Sequence, residues 1–160
     1  HLLTQYPDFF DHFIFISTHP GLTEKQGAEK NNRLIDDMKW AQKISKENWD
    51  SFIQDWNAQP VFAEGVKDQF KKVEDFDLNL LKRALVMWSL SQQENFEDIL
   101  FEEQQNITWV VGEKDIKFLQ IAEDLKQKKI LLDYKKILAG HRLHIDQPAF
   151  IAQLISEQLV

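Results

Sequence analysis

Three short stretches of this chain have strand character and end in turn chemistry, and the first of them is apolar without alternation. The first is Phe13-Ile14-Phe15-Ile16, followed by Ser17-Thr18-His19-Pro20-Gly21. The second is Ile107-Thr108-Trp109-Val110-Val111, closed by Gly112. The third is bracketed by Lys129-Ile130-Leu131-Leu132 and Lys136-Ile137-Leu138 and ends at Ala139-Gly140-His141. A strand with one wet face alternates with a period of two, whereas a strand apolar on both sides belongs in a parallel sheet covered on both faces. Between the second and third runs, Phe118, Ile121, Ala122 and Leu125 share one helical face. After the third, a helix is predicted from about Gln147 to Leu159, with Pro148 in its first turn. Strand, helix, strand, helix is the order of the α/β class.

Between the first and second strands the period changes. Residues 23–93 are rich in Glu, Lys, Asp and Gln and read as about four helices and no strand. Leu34, Met38, Trp40, Ala41 and Ile44 mark one of them. Trp49, Phe52, Ile53 and Trp56 fall at i, i+3, i+4 and i+7, an amphipathic helix. Pro60 permits a new start near Val61, and Leu80, Leu81, Ala84, Leu85 and Trp88 form a further stripe. The chain opens on His1-Leu2-Leu3-Thr4-Gln5-Tyr6, which reads as the last turns of a helix stopped by Pro7. Three parallel strands make a small sheet with an uncovered edge. The expectation is that further strands, from a missing N-terminal half or a second chain, complete it.

Composition removes several functions. The 160 residues carry a formal net charge of −7, which disfavours nucleic acid and an anionic membrane surface as partners. A small anionic ligand stays open, because a few local cations outweigh the global charge inside a pocket. The chain has no cysteine, so thiolate catalysis, disulfides and Cys-ligated metals are absent. This is compatible with a cytoplasmic location. No run approaches the ~18 apolar residues of a membrane span.

The residues that could carry chemistry follow the last two strands. Asp115 stands in Gly112-Glu113-Lys114-Asp115, and His141 in Ala139-Gly140-His141-Arg142-Leu143-His144. Parallel α/β sheets place ligands and catalysis at the carboxyl ends of their strands. A carboxylate there accepts the histidine Nδ1–H and leaves Nε2 as a base. Taken singly, Asp115 reads as a helix cap and His141 as a loop histidine. As a pair, each behind its own strand and glycine, they match the acid and base of α/β-hydrolases, whose triad order is Ser, Asp, His. Ser17, Ser45, Ser51, Ser89, Ser91 and Ser156 all lack the glycine two residues to each side that a nucleophile elbow needs. The serine is therefore expected upstream of His1. His144 follows His141 by three residues without a recognisable third ligand, so no metal is expected. His19, at a strand end, reads equally as a pocket border or a turn residue.

Four blocks together resemble the 2-succinyl-6-hydroxy-2,4-cyclohexadiene-1-carboxylate synthase family of menaquinone biosynthesis. They are His19-Pro20-Gly21-Leu22; Arg33, Asp37 and Trp40-Ala41; Asp55-Trp56-Asn57-Ala58-Gln59-Pro60-Val61-Phe62; and Gly112 to Phe118 with Gly140 to His144. The resemblance implies the C-terminal part of an α/β-hydrolase fold. Residues 1–21 would be the end of the nucleophile helix and a core strand, residues 22–96 an all-helical lid, and residues 97–160 the core carrying Asp115 and His141. It implies a carbon–oxygen lyase without cofactor, acting on a cyclohexene polycarboxylate. A base removes a ring proton, pyruvate leaves, and a cyclohexadiene results. Asp115 would orient His141, His141 would polarise the serine, Arg33 would bind a substrate carboxylate, and Trp56 would line the pocket. Where the family often has a further lid arginine, this chain offers Lys71 and Lys72, cations without the bidentate fork. Two other functions remain open: an α/β-hydrolase acting on esters or other small acyl substrates, and a non-catalytic interaction module on the same fold.

Overall fold

The computed structural model describes residues 2–6, 9–66 and 72–158. In chain order the elements are α1 (Leu2–Gln5), β1 (Phe13–Ile16), α2 (Gly27–Lys43), α3 (Trp49–Asn57), α4 (Leu78–Met87), α5 (Glu97–Glu102), β2 (Ile107–Gly112), α6 (Ile116–Gln127), β3 (Lys135–Ile137), α7 (Leu143–Asp146) and α8 (Pro148–Ser156). They fall into two compact units. The first comprises His1–His19, Pro60–Lys67 and Phe96–Val160; the second comprises Pro20–Gln59 and Asp68–Asn95. Pro7, where the sequence places a helix stop, and Lys71 and Leu159 lie outside the described residues.

The first unit is built on a parallel sheet in the order β1-β2-β3. Phe13 stands opposite Ile107 and Ile16 opposite Val110. Val110 and Gly112 stand opposite Lys135 and Ile137. The central strand shows why its sequence does not alternate. Trp109 and Val111 bury into one cluster with Leu3, Leu100, Ala122, Leu125, Ile130 and Leu131. Val110, pointing the other way, buries with Ala139, Leu143, Ile151 and Leu154. Successive side chains of a strand alternate faces, so a helix layer on each face demands apolar residues at every position.

The third strand is shorter than its sequence suggests. Residues 129–132 form no strand. Lys129 takes a left-handed conformation at φ 62°, which ends α6. The Ile130 and Leu131 N–H groups both return to the Leu125 carbonyl, at 2.9 and 3.3 Å. This is the closure of a helix C-terminus. Ile130 and Leu131 bury as part of that closure, which gives them strand-like hydrophobicity without a strand. At the C-terminus, α7 and α8 are separate helices, and Pro148 occupies the first turn of α8.

The second unit is helical. Its core gathers Ile44, Trp49 and Phe52, with Trp40, Ile53, Trp56, Phe76, Leu81 and Leu85 packed around them. Trp49 and Phe52 are buried, and Trp56 meets the Trp40 ring edge-on at a centroid distance of 5.2 Å. Asp77 caps α4, its carboxylate accepting from Asn79 N and Leu80 N. Within residues 23–93 the described residues hold three α-helices rather than four. Four single 3-10 turns accompany them, at Glu24–Gln26, Pro60–Phe62, Val73–Asp75 and Leu90–Gln92. Among the described residues, no helix is long and apolar enough to cross a membrane.

Candidate active site: a buried carboxylate and its histidine

β2 delivers Asp115 and β3 delivers His141. The turn after β2 is tied to the segment after β3 by two backbone bonds. Glu113 N–H donates to the Ile137 carbonyl at 2.8 Å, and Lys114 N–H to that of Ala139 at 3.1 Å. Gly112 is where the two approach. A Cβ there would lie far inside van der Waals contact with the Ala139 and Gly140 carbonyl oxygens. Lacking one, Gly112 lets the backbones close and sets Asp115 beside His141.

Asp115 is buried, its side chain only 1% exposed. Its Oδ2 accepts the His141 Nδ1–H at 2.7 Å, and Oδ1 accepts Phe118 N–H at the long distance of 3.5 Å as the N-cap of α6. The helix-cap and histidine-partner readings of Asp115 are thus both present, one on each oxygen. The imidazole sits between two rings, with centroids 4.5 Å from Phe118 and 5.6 Å from Phe62. Its side chain is 21% exposed. Because a carboxylate accepts and does not donate, Nδ1 must carry the proton. Nε2, which has no partner among the described residues, holds the free lone pair of the neutral ring.

Two neighbours of His141, Asp146 and Gly65, escaped the sequence reading, and Phe62 entered it only within a family block. The Phe62 ring lies against His141 and also carries the Arg142 guanidinium 3.9 Å above its centroid. Asp146, at the end of α7, accepts Gly140 N–H on Oδ2 and Val66 N–H on Oδ1, each at 2.6 Å. Gly65, at φ 121°, passes so close that a Cβ would meet Asp146 Oδ2 at 2.6 Å. The sequence signal was slight: an aspartate five residues after His141, and an isolated glycine.

Of the other candidate residues, Arg33 and Trp56 lie in the helical unit. Arg33, on α2, donates from Nε to Asp37 Oδ2 at 2.8 Å. Its side chain is 43% exposed, against 6% for Asp37. The Arg33 terminal nitrogens have no partner among the described residues, so the planar end of the fork is open. Trp56 is a half-buried wall of the aromatic cluster, against Trp40 and Phe52. Lys72 is exposed, and Lys71 is not described. His19 is half-buried and His144 is exposed on α7.

Three parallel strands flanked by helices make this part of an α/β-hydrolase fold, with an acid after one strand and a histidine after the next. The structure superposes on MenH from S. aureus with a TM-score of 0.73 at 23% identity, covering 94% of this chain and 59% of that one. In sequence the chain resembles 2-succinyl-6-hydroxy-2,4-cyclohexadiene-1-carboxylate synthases over most of its length. It is 27% identical over 159 residues to that of Enterobacter sp. (strain 638), covering 97% of this chain and 59% of the relative. It is 30% identical over 146 residues to that of Escherichia fergusonii, covering 88% and 55%. The chain thus spans little more than half the length of these relatives. No protein-family model matches it.

Proposed function

We propose that these residues supply the acid and base of a 2-succinyl-6-hydroxy-2,4-cyclohexadiene-1-carboxylate synthase. The observation that carries the reading is the Asp115–His141 hydrogen bond, with Nδ1 held by a buried carboxylate and Nε2 left open. The substrate on this reading is 2-succinyl-5-enolpyruvyl-6-hydroxy-3-cyclohexene-1-carboxylate. A serine from sequence outside these 160 residues would donate its proton to His141 Nε2 and abstract a ring proton; the ring C–O bond would break, and the departing enolpyruvate would take up a proton equivalent to the one held by His141 to become pyruvate. Asp115 fixes the tautomer and stabilises the imidazolium as it forms. In the helical unit, Arg33 would bind a substrate carboxylate through its two open terminal nitrogens, held in orientation by Asp37. Trp56 would form part of the pocket wall.

The test is pyruvate release by the protein carrying its upstream sequence, with His141→Ala as control. Release that depends on His141 supports the lyase. Turnover of small esters in its place, again dependent on His141, would assign the same pair to a hydrolase.

A further inference from the structure

We propose that Asp146 is a positioning residue for His141, a carboxylate that fixes the histidine's backbone from both sides and ties it to the segment carrying Phe62. This rests on the reading of Asp115 and His141 as acid and base. Gly140 precedes His141, and its N–H donates to Asp146 Oδ2 at 2.6 Å. Arg142 follows it, and its carbonyl accepts Asp146 N–H at 3.0 Å. One residue therefore holds both peptide neighbours of the imidazole.

The second oxygen reaches a different part of the chain. Asp146 Oδ1 accepts Val66 N–H at 2.6 Å, a bond spanning 80 positions of sequence. Val66 lies four residues beyond Phe62, whose ring touches the imidazole. Two glycines make room for the arrangement. Gly65 passes over the Asp146 carboxylate, and Gly140 lies against the Glu64 carbonyl, so that a Cβ on either would strike its neighbour. A carboxylate is suited to this task because it offers acceptors to two N–H donors at once, and charge-assisted bonds are short and strong. Backbone N–H groups held so that a base stays within hydrogen-bond reach of its partners are a recurrent use of second-layer residues.

The experiment compares Asp146→Asn and Asp146→Glu in the protein with its upstream sequence. Asparagine keeps the shape but turns an NH2 group toward one backbone N–H, so one of the two bonds is lost. Glutamate keeps both acceptors. The expected result for D146N is a fall in kcat of about tenfold to a hundredfold, the scale of a small misplacement of a reacting group, with KM little changed. D146E should recover part of it. The downfield proton resonance of His141 Nδ1–H should weaken in D146N and return in D146E. That signal needs no substrate, so it tests the role of Asp146 even if pyruvate release fails and the lyase reading with it. A D146N protein with unaltered resonance and kcat within twofold of the parent overturns the proposal. Should D146N not fold, Gly65→Ala presses on the same carboxylate from the other side, and the same readouts decide.

Discussion

Asp115 accepts from His141 Nδ1 on one oxygen and from Phe118 N–H on the other, so one buried side chain both caps α6 and sets the histidine tautomer. The two roles separate under substitution. Asparagine is as good a helix cap as aspartate, but it cannot act as a carboxylate toward an imidazolium. Asp115→Asn should leave thermal stability nearly unchanged while turnover falls about 10⁴-fold, the loss known for the acid of such a triad. Asp115→Ala loses both functions and should also lower the melting temperature. Equal destabilisation by the two variants would show that the cap is not independent of the histidine.

Arg33 and Asp37 form an unequal pair, the cation open and the carboxylate buried. Removing Arg33 strands Asp37, whereas removing Asp37 leaves Arg33 free to find water. Arg33→Ala should therefore cost about 1–3 kcal/mol, the penalty of an unpaired buried polar group, and Asp37→Asn distinctly less. On the proposed function, Arg33→Lys should raise KM for the carboxylate substrate, because lysine lacks the planar fork. Denaturant unfolding and initial rates measure the two effects separately.

What the sequence disclosed here follows from how local each signal is. Phe13 to Ile16 and Ile107 to Val111 read as strands of a covered sheet because their apolar side chains pack alternately into clusters on the two faces. Ile130 and Leu131 gave the same signal for another reason, since a helix closure buries apolar residues as deeply as a sheet does. Asp115 and His141 were legible because each sits behind a strand and a glycine. Asp146 was not, since its partners Gly140 and Val66 are backbone groups, one of them distant in sequence. The Arg33–Asp37 bond was half visible, as a spacing of four on a helix whose burial on one side only no pattern shows.

Gly112 allows the turn after β2 to meet the segment after β3, and the atoms a side chain would strike are backbone carbonyls. Such atoms cannot swing aside as a flexible side chain can. Gly112→Ala should cost about 3 kcal/mol or more, at or above the usual range for overpacking. The denaturant midpoint should fall at constant m-value. A loss under about 1 kcal/mol would mean that the two segments separate easily.

Tyr134 gives the first unit an alkaline dependence. Burial, then the hydrogen bond to Glu123 at 3.2 Å, raise its pKa above the ordinary tyrosine range. The folded state favours the neutral phenol. Its contribution is fully present below the unfolded pKa of about 10 and is lost as pH rises through the higher folded value. Tyr134→Phe should cost about 0.5–1.5 kcal/mol at neutral pH, the net worth of a hydrogen bond. Between pH 9 and 11 the parent should lose stability toward the variant, so that paired unfolding curves converge. Parallel curves across that range would count against the assigned cause.

The free side of β1 is the last consequence of the topology. Among the described residues β1 pairs with β2 alone, so one row of its N–H and C=O groups has no ladder partner. The strand reads Phe-Ile-Phe-Ile, without a charge or a proline to discourage pairing, and Phe9 and Phe10 are exposed just before it. Uncharged, strongly β-forming edges recruit other chains. Residues 1–160 prepared alone should self-associate, with an elution volume and a melting temperature that depend on concentration. A longer chain whose additional strands cover that edge should not. A 160-residue monomer that unfolds cooperatively at every concentration would show that the β1 edge tolerates water.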